Sequence, residues 1–233
     1  MTINERTKNS LINNELYFSN PNIFNDPFDC QFTLEIIKGS KAELNAKRVM
    51  GLNNDERDYY DSYGLLDELS KGYEKIYSEK FNNLIGVVCF TESRDNFLMW
   101  SHYANSHRGI CLMFDWRVHE EYFNGELVVY DNELPKIKFS SEDDFQEMAR
   151  AIALTKLKFW KDEREIRSVL SINNNDRLIS FNPKALVGII FGEKTDDKDV
   201  EIIKNIVKKH KGYSNVKFYS AKLDRVNCRL NIE

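Results

Sequence analysis

Three short apolar runs limit what this chain can fold into more than any other feature. Residues 84–91 (LIGVVCFT), 109–115 (GICLMFD) and 186–191 (LVGIIF) place apolar side chains at successive positions. A strand alternates its side chains between two faces, so these runs read as strands buried on both. Residues 16–19 form a shorter strand that enters 20–29, where Pro21, Pro27 and several Asn and Asp residues stop regular structure. The pattern over 41–80 is mainly helical, with a break at 53–55, and 96–104 holds a helix-like turn. Residues 127–130 read as a short strand ending before Pro135. Over 142–159 the residues Phe145, Met148, Ala149, Ile152 and Leu157 recur at helical spacing, which predicts an amphipathic helix covering a sheet. A strand at 165–172 leads to a polar, hairpin-like tract at 173–176. Gly192 ends the third apolar run, and Thr195 or Asp196 caps a helix through 211 with Val200, Ile203 and Val207 inward. Residues 215–219 close the sheet.

Strands interrupted by irregularly placed helices favour an α+β fold over a doubly wound one. The expectation is a single domain over 1–233, with a central mixed, largely antiparallel sheet packed by several helices and a helical excursion at about 41–80. Neither an internal repeat nor a low-complexity linker marks a boundary.

Composition narrows the functional classes. With 233 residues and a net charge of −4, both signs are spread along the chain, so nucleic acid could be held only by a local basic patch. Cys30, Cys89, Cys111 and Cys228 are far apart and form no CxxC pair, which signals neither a zinc knuckle nor a disulfide scaffold. Cys89 and Cys111 lie inside apolar strands and read as small buried hydrophobes. No apolar stretch approaches a membrane span and residues 1–11 are polar, so a soluble, cytoplasmic protein without a membrane partner is expected.

Three segments combine residues that are costly to bury with residues hard to explain as surface. In the first, 19–29, Ser19, Asn25 and Asp26 sit on an aromatic-studded loop and could bind substrate, or Asn25 and Asp26 could serve turn chemistry alone. The second, 96–109, carries Trp100 and Tyr103 on one side of a helical turn, with His102 a proton donor or acceptor beside them. A satisfied structural histidine is the alternative. His102 and His107 are five apart, off the spacing of paired helical ligands, so no metal site is expected. The third, 156–167, aligns Glu163, Glu165 and Arg167 on one face if a strand begins near 163, with Trp160 nearby. That face would line a polar pocket, or it would be a solvated edge whose charges neutralise one another. The lysine-rich end at 208–211 matches the negative end of a helix dipole, and Gly192 alone is no phosphate loop.

Four blocks, LYFSNPNIFNDPFDC, CFTESRDNFLMWSHYANSHRGICLMFD, KLKFWKDEREIR and FNPKALVGIIFG, together resemble the domain-of-unknown-function family numbered 2971. The FNDPFD loop, the W-x-H-Y block and the W-x-x-E-x-E-x-R block are that family's recurrent features. Members usually carry a Tyr/Arg-bearing strand and a helix upstream, whereas fifteen residues precede Leu16 here. The family is bacterial and some members are labelled phage-resistance proteins, so the resemblance implies a role in abortive infection.

Three functions fit these residues. One is an enzyme acting on a nucleotide or nucleic acid, most concretely ADP-ribosyl transfer with NAD as substrate. There Glu163 or Glu165 stabilises an oxocarbenium-like state, Asn25, Ser19 or His102 holds ribose, and Tyr17, Trp100 or Trp160 stacks on a ring. A second is a metal-independent ribonuclease with His102 as acid or base and Arg167 with Lys158 on the phosphate. The third is a non-catalytic ligand-sensing module. All three require the clusters around Asn25, His102 and Glu165 to meet in one cavity.

Overall fold

The computed structural model describes residues 1–49, 65–118, 125–140, 145–172 and 176–233. In chain order it opens with α1 (Glu5–Asn13), started by the Asn4 side chain accepting from the Thr7 N–H and stopped by Asn14 at φ 56°, followed by β1 (Glu15–Tyr17). A 3₁₀ turn at Pro21–Ile23 interrupts the next loop, and β2 (Thr33–Ile36), α2 (Lys41–Val49) and α3 (Leu65–Leu84) follow. Then come β3 (Ile85–Thr91), α4 (Phe97–Tyr103) capped by Asn96, and β4 (Ile110–Phe114). Short strands β5 (Glu126–Leu127), β6 (Val129–Asp131) and β7 (Lys136–Phe139) precede α5 (Phe145–Ala153). The remainder is β8 (Thr155–Leu157), a 3₁₀ helix (Lys158–Glu163), β9 (Glu165–Ser171), β10 (Leu178–Ser180), β11 (Leu186–Phe191), α6 (Asp197–Lys209), β12 (Lys217–Asp224) and β13 (Arg229–Ile232).

The fold is α+β, as the sequence implied, but its strands are divided among several sheets. The largest has the order β13-β12-β11-β4, with β11 parallel to β12 and the other pairings antiparallel. An antiparallel trio, β3-β9-β5, carries the candidate site. Three two-stranded pieces complete the set: β1-β10, β2-β7 and β6-β8, the last two parallel. Reciprocal backbone bonds between Ser19 and Val87 tie the end of β1 to β3.

Strand alternation explains why the apolar runs are apolar on both faces. From β3, Ile85 and Val87 enter a core with Phe32, Leu34, Tyr77, Phe81, Phe139 and Ile152. Val88 and Phe90, pointing the other way, pack on a second core with Leu11, Ile110, Leu186, Ile189, Phe191 and Ile203. On β11 the same division holds, since Ile190 turns away from that core to meet Trp100, Ala221 and Leu230. β3 and β11 are therefore partitions between cores.

Several expectations change. The helix read over 142–159 ends at Ala153; residues 141–144 lie outside the described set. Its last stretch becomes β8 because the Leu154 carbonyl accepts from the Val129 N–H and draws β-branched Thr155 into a parallel pair with β6. Residues 127–130 split into two strands at Val128, whose N–H donates to Glu165 O. The supposed excursion at 41–80 is partly core, for Ala42 of α2 and Tyr77 of α3 are buried; the break at 53–55 and most of the tract at 173–176 fall outside the described residues. Cys89 is exposed and Cys111 half-buried, so neither is a simple core hydrophobe. α1, β2, β7, β10 and β13 had no strong periodic signal.

Gly192 has a steric role and not a phosphate-binding one. Asn105, Ser106 and His107 all take left-handed φ values of 48°, 54° and 69°, and this turn presses its backbone on Gly192. A Cβ at Gly192 would lie 2.2 Å from the His107 carbonyl oxygen, which is backbone and cannot swing aside. Gly192→Ala is expected to cost roughly 1–3 kcal/mol, or somewhat more, read as a lower urea midpoint with an unchanged m-value.

Candidate functional site

On β9, Glu165 and Arg167 share a face, opposite Thr91 and Cys89 of β3. Further along the same face, Val169, Val87 and Ile85 continue into the apolar core, so charged groups sit directly on an apolar floor. Arg167 is 0% exposed and stays charged because each of its three guanidinium nitrogens finds a carboxylate. Its Nη1 and Nη2 donate to the two oxygens of Asp29 at 2.7 Å each. Nε donates to Glu165 Oε2 at 2.7 Å, Nη1 also reaches Ala153 O at 2.9 Å, and Nη2 lies 2.7 Å from Glu165 Oε2. The guanidinium thereby joins the 20–32 loop, the end of α5 and β9.

Lys156 of β8 forms the second buried cation. Its Nζ donates to Glu163 Oε2 at 2.6 Å and to Glu165 Oε1 at 3.0 Å, and lies 3.7 Å from Asp29 Oδ2. The ammonium stands 4.8 Å from the centre of the Trp160 ring. Burial works to lower its pKa, but the Glu165 and Glu163 carboxylates prevail and hold it above 10.5. Burial raises the pKa of Glu163, against the opposing pull of Lys156 and of the Tyr103 hydroxyl. Among the described residues no group of three or more His, Cys, Asp or Glu side chains could hold a metal ion; between Asp29, Glu163 and Glu165 the Lys156 ammonium occupies the central position.

A polar chain leads outward from Glu163. The Tyr103 hydroxyl donates to Glu163 Oε1 at 2.8 Å, and exposed Asn25 donates to the Tyr103 oxygen at 3.5 Å. Tyr130 accepts from the Glu165 N–H at 2.9 Å, while Thr91 donates to Glu163 O. Cys89 adds the shape: it is open to water, yet protein surrounds it so closely that burial, helped by the Glu165 carboxylate, pushes its thiol up to about 12. Exposed Cys89 stands directly opposite buried Arg167 and so marks the side on which the network approaches solvent, here called the recess. Residues 158–163 turn with three residues per turn, so Trp160 and Glu163 fall on one side, half-buried and buried respectively.

Asn25, Tyr103, Trp160, Glu163, Glu165 and Arg167 thus belong to one constellation. His102 is at its edge, exposed, with its ring 6.2 Å from those of Trp160 and Tyr103. The strand starts at Glu165, as read, and the condition of a start near 163 is not met; Arg164, at φ 47°, ends the 3₁₀ helix that carries Glu163. Four residues do other work. Trp100 is buried in the third core, its indole N–H on Arg94 O, because α4 turns it away from Tyr103. Buried Asp26 accepts from the Phe28 N–H at 2.9 Å, which is turn chemistry. Ser19 contributes its backbone to the link with Val87, and Tyr17 lies beneath Arg6.

Asp29, Lys156, Tyr130 and Cys89 were missed as site residues. Asp29 and Lys156 lie within the motif blocks, but an Asp in a turn-rich loop and a Lys among other lysines carry no local mark of burial. His107, buried beside Ser101 Oγ at 3.1 Å and Phe97, is the structural histidine of the pair.

Fold and site together define an α+β protein with a recess built over a buried network of two cations and three carboxylates. Residues 99–168 match the model of a family described as protein of unknown function (DUF2971), which supports the assignment that the motifs suggested. The match covers Tyr103, Lys156, Glu163, Glu165 and Arg167 but neither Asn25 nor Asp29. No curated protein and no solved structure matches the chain. Among the described residues no helix is long and apolar enough to cross a membrane.

Proposed function

We propose that the recess is the active site of an enzyme acting on a nucleotide, with ADP-ribosyl transfer from NAD as its concrete reaction. One observation carries this reading. Asp29 and Glu165 are engaged by Arg167, whereas Glu163 keeps one oxygen on Lys156 and accepts on the other from Tyr103, whose own oxygen accepts from exposed Asn25. Glu163 is therefore the carboxylate placed to meet a ligand. As the nicotinamide–ribose bond breaks, its electron pair leaves with the nicotinamide nitrogen, and the carboxylate offsets the charge developing at the ribose carbon. The acceptor's lone pair forms the new bond and its proton passes to solvent. Lys156 favours the ionised form of Glu163, Tyr103 and Asn25 offer hydrogen bonds to ribose, and Trp160 offers a ring face. Glu165 and Arg167 are positioning residues. A cytoplasmic setting, where NAD and RNA coexist, and a role in phage defence belong to the same proposal.

The ribonuclease reading loses support from Arg167, which has no exposed surface and no spare donor for a phosphate. A non-catalytic sensor draws support from the saturation of Arg167, since a rigid recess also suits recognition. The test is nicotinamide release, followed by mass spectrometry, from NAD alone and from NAD with total RNA. Glu163→Gln is expected to lower release by about 100-fold or more while keeping the fold. Thermal stabilisation by NAD without any release from the wild type would replace the enzyme with the sensor.

A further inference from the structure

The 3₁₀ helix that presents Glu163 inward presents something different outward. With three residues per turn, Lys158 and Lys161 follow one another along a ridge, Arg164 comes next at the C-cap, and Phe159 stands beside them. All three cations are exposed and, among the described residues, none makes an ion pair or hydrogen bond through its side chain. Phe159 is 90% exposed, against a half-buried Trp160 next to it. Glu163 and Glu165, which flank Arg164, are instead engaged by Lys156 and Arg167. Asn96 fixes the ridge to α4 by donating to Asp162 O at 2.5 Å, so the ridge is held at the lip of the recess.

We infer that this ridge is a contact platform for single-stranded nucleic acid, which makes a nucleotide strand the acceptor or substrate brought to Glu163. The chemistry is specific to that partner. An exposed ring stacks on an unpaired base, and flanking cations follow the phosphates on either side of it. A protein of net charge −4 has no general field for polyanions, so the local patch must carry the contact. The inference deepens the nucleotide reading and rests on it for why a strand is delivered to this place.

Binding separates the two. The probe is a fluorescein-labelled single strand of about ten nucleotides, RNA or DNA, followed by anisotropy between about 50 and 200 mM salt. Wild type is expected to bind with a log–log salt slope of about −2, from about 0.7 per phosphate for three cations. Phe159→Ala is expected to weaken binding about 10-fold, and Lys158→Ala with Lys161→Ala and Arg164→Ala to flatten the slope. Glu163→Gln is expected to bind the strand as wild type does, even though nicotinamide release falls. Absence of binding at low salt, indifference to both sets of substitutions, or equal affinity for duplex or for anionic vesicles would overturn the platform and leave the role of Glu163 standing. Retained nicotinamide release in Glu163→Gln would do the reverse.

Discussion

Arg167→Ala is expected to destabilise the protein by about 3–5 kcal/mol at neutral pH, the largest effect of any single substitution in the site. The substitution removes a guanidinium with no exposed surface and leaves Asp29 with both oxygens unpaired, Glu165 Oε2 without its donor, and the Ala153 carbonyl short of a partner. Two buried anions then face each other across the space the guanidinium filled, with only Lys156 between them. Urea unfolding reads the effect. Asp29→Asn combined with Arg167→Met should recover part of the loss, because removing both ends of a buried pair costs far less than removing one. If Arg167→Ala unfolds within about 1 kcal/mol of wild type, the pair is a spectator and the site lacks the rigidity argued for it.

Lys156→Met is expected to cost about 3 kcal/mol at pH 7, with a distinctive dependence on pH. Lys156 in the folded protein titrates above 10.5, so its stabilisation is complete below that value and is lost as pH rises through the folded pKa. Glu163 follows the same sign in a lower range of pH. Its pKa is raised above 4.5 by burial, so its neutral form favours folding, and that contribution fades as pH rises through the folded pKa. Without the ammonium, Glu163 loses the counter-charge that opposes its burial, and its carboxyl holds a proton to higher pH. The gap between Lys156→Met and wild type should therefore narrow on acidification from pH 7 toward pH 5. Urea midpoints across that range check it; a gap of constant size would mean the carboxylates do not depend on Lys156.

Much of the site was legible because its chemistry is written in local periods. The i, i+2 spacing of Glu165 and Arg167 places them on one face of a strand that starts at Glu165 as read, while Glu163 joins them from the preceding 3₁₀ helix. Tyr103, Trp160 and Asn25 were also found, through aromatic residues on polar segments. What stayed hidden was pairing. Nothing near Asp29 signals an arginine 138 residues away, and nothing near Lys156 says which of the adjacent lysines is buried. Trp100 misled for the same reason: the W-x-H-Y block reads as one aromatic face, but α4 lies on β11 and β12 and commits Trp100 to the core while Tyr103 faces the recess.

By itself the sequence determined the strands whose two faces are both apolar, the α+β class, the absence of a general field for polyanions, and which short segments carry charge beside aromatics. These follow from composition and from periods of two to four residues, which local geometry reads directly. Only the tertiary structure decided which charges are buried, that Lys156 and Arg167 divide three carboxylates between them, and that Glu163 is linked through Tyr103 to exposed Asn25. The reason is physical: the cost of burying a charge depends on what surrounds it, and its surroundings here come from a loop, a helix end and three strands that meet only when the cores are packed.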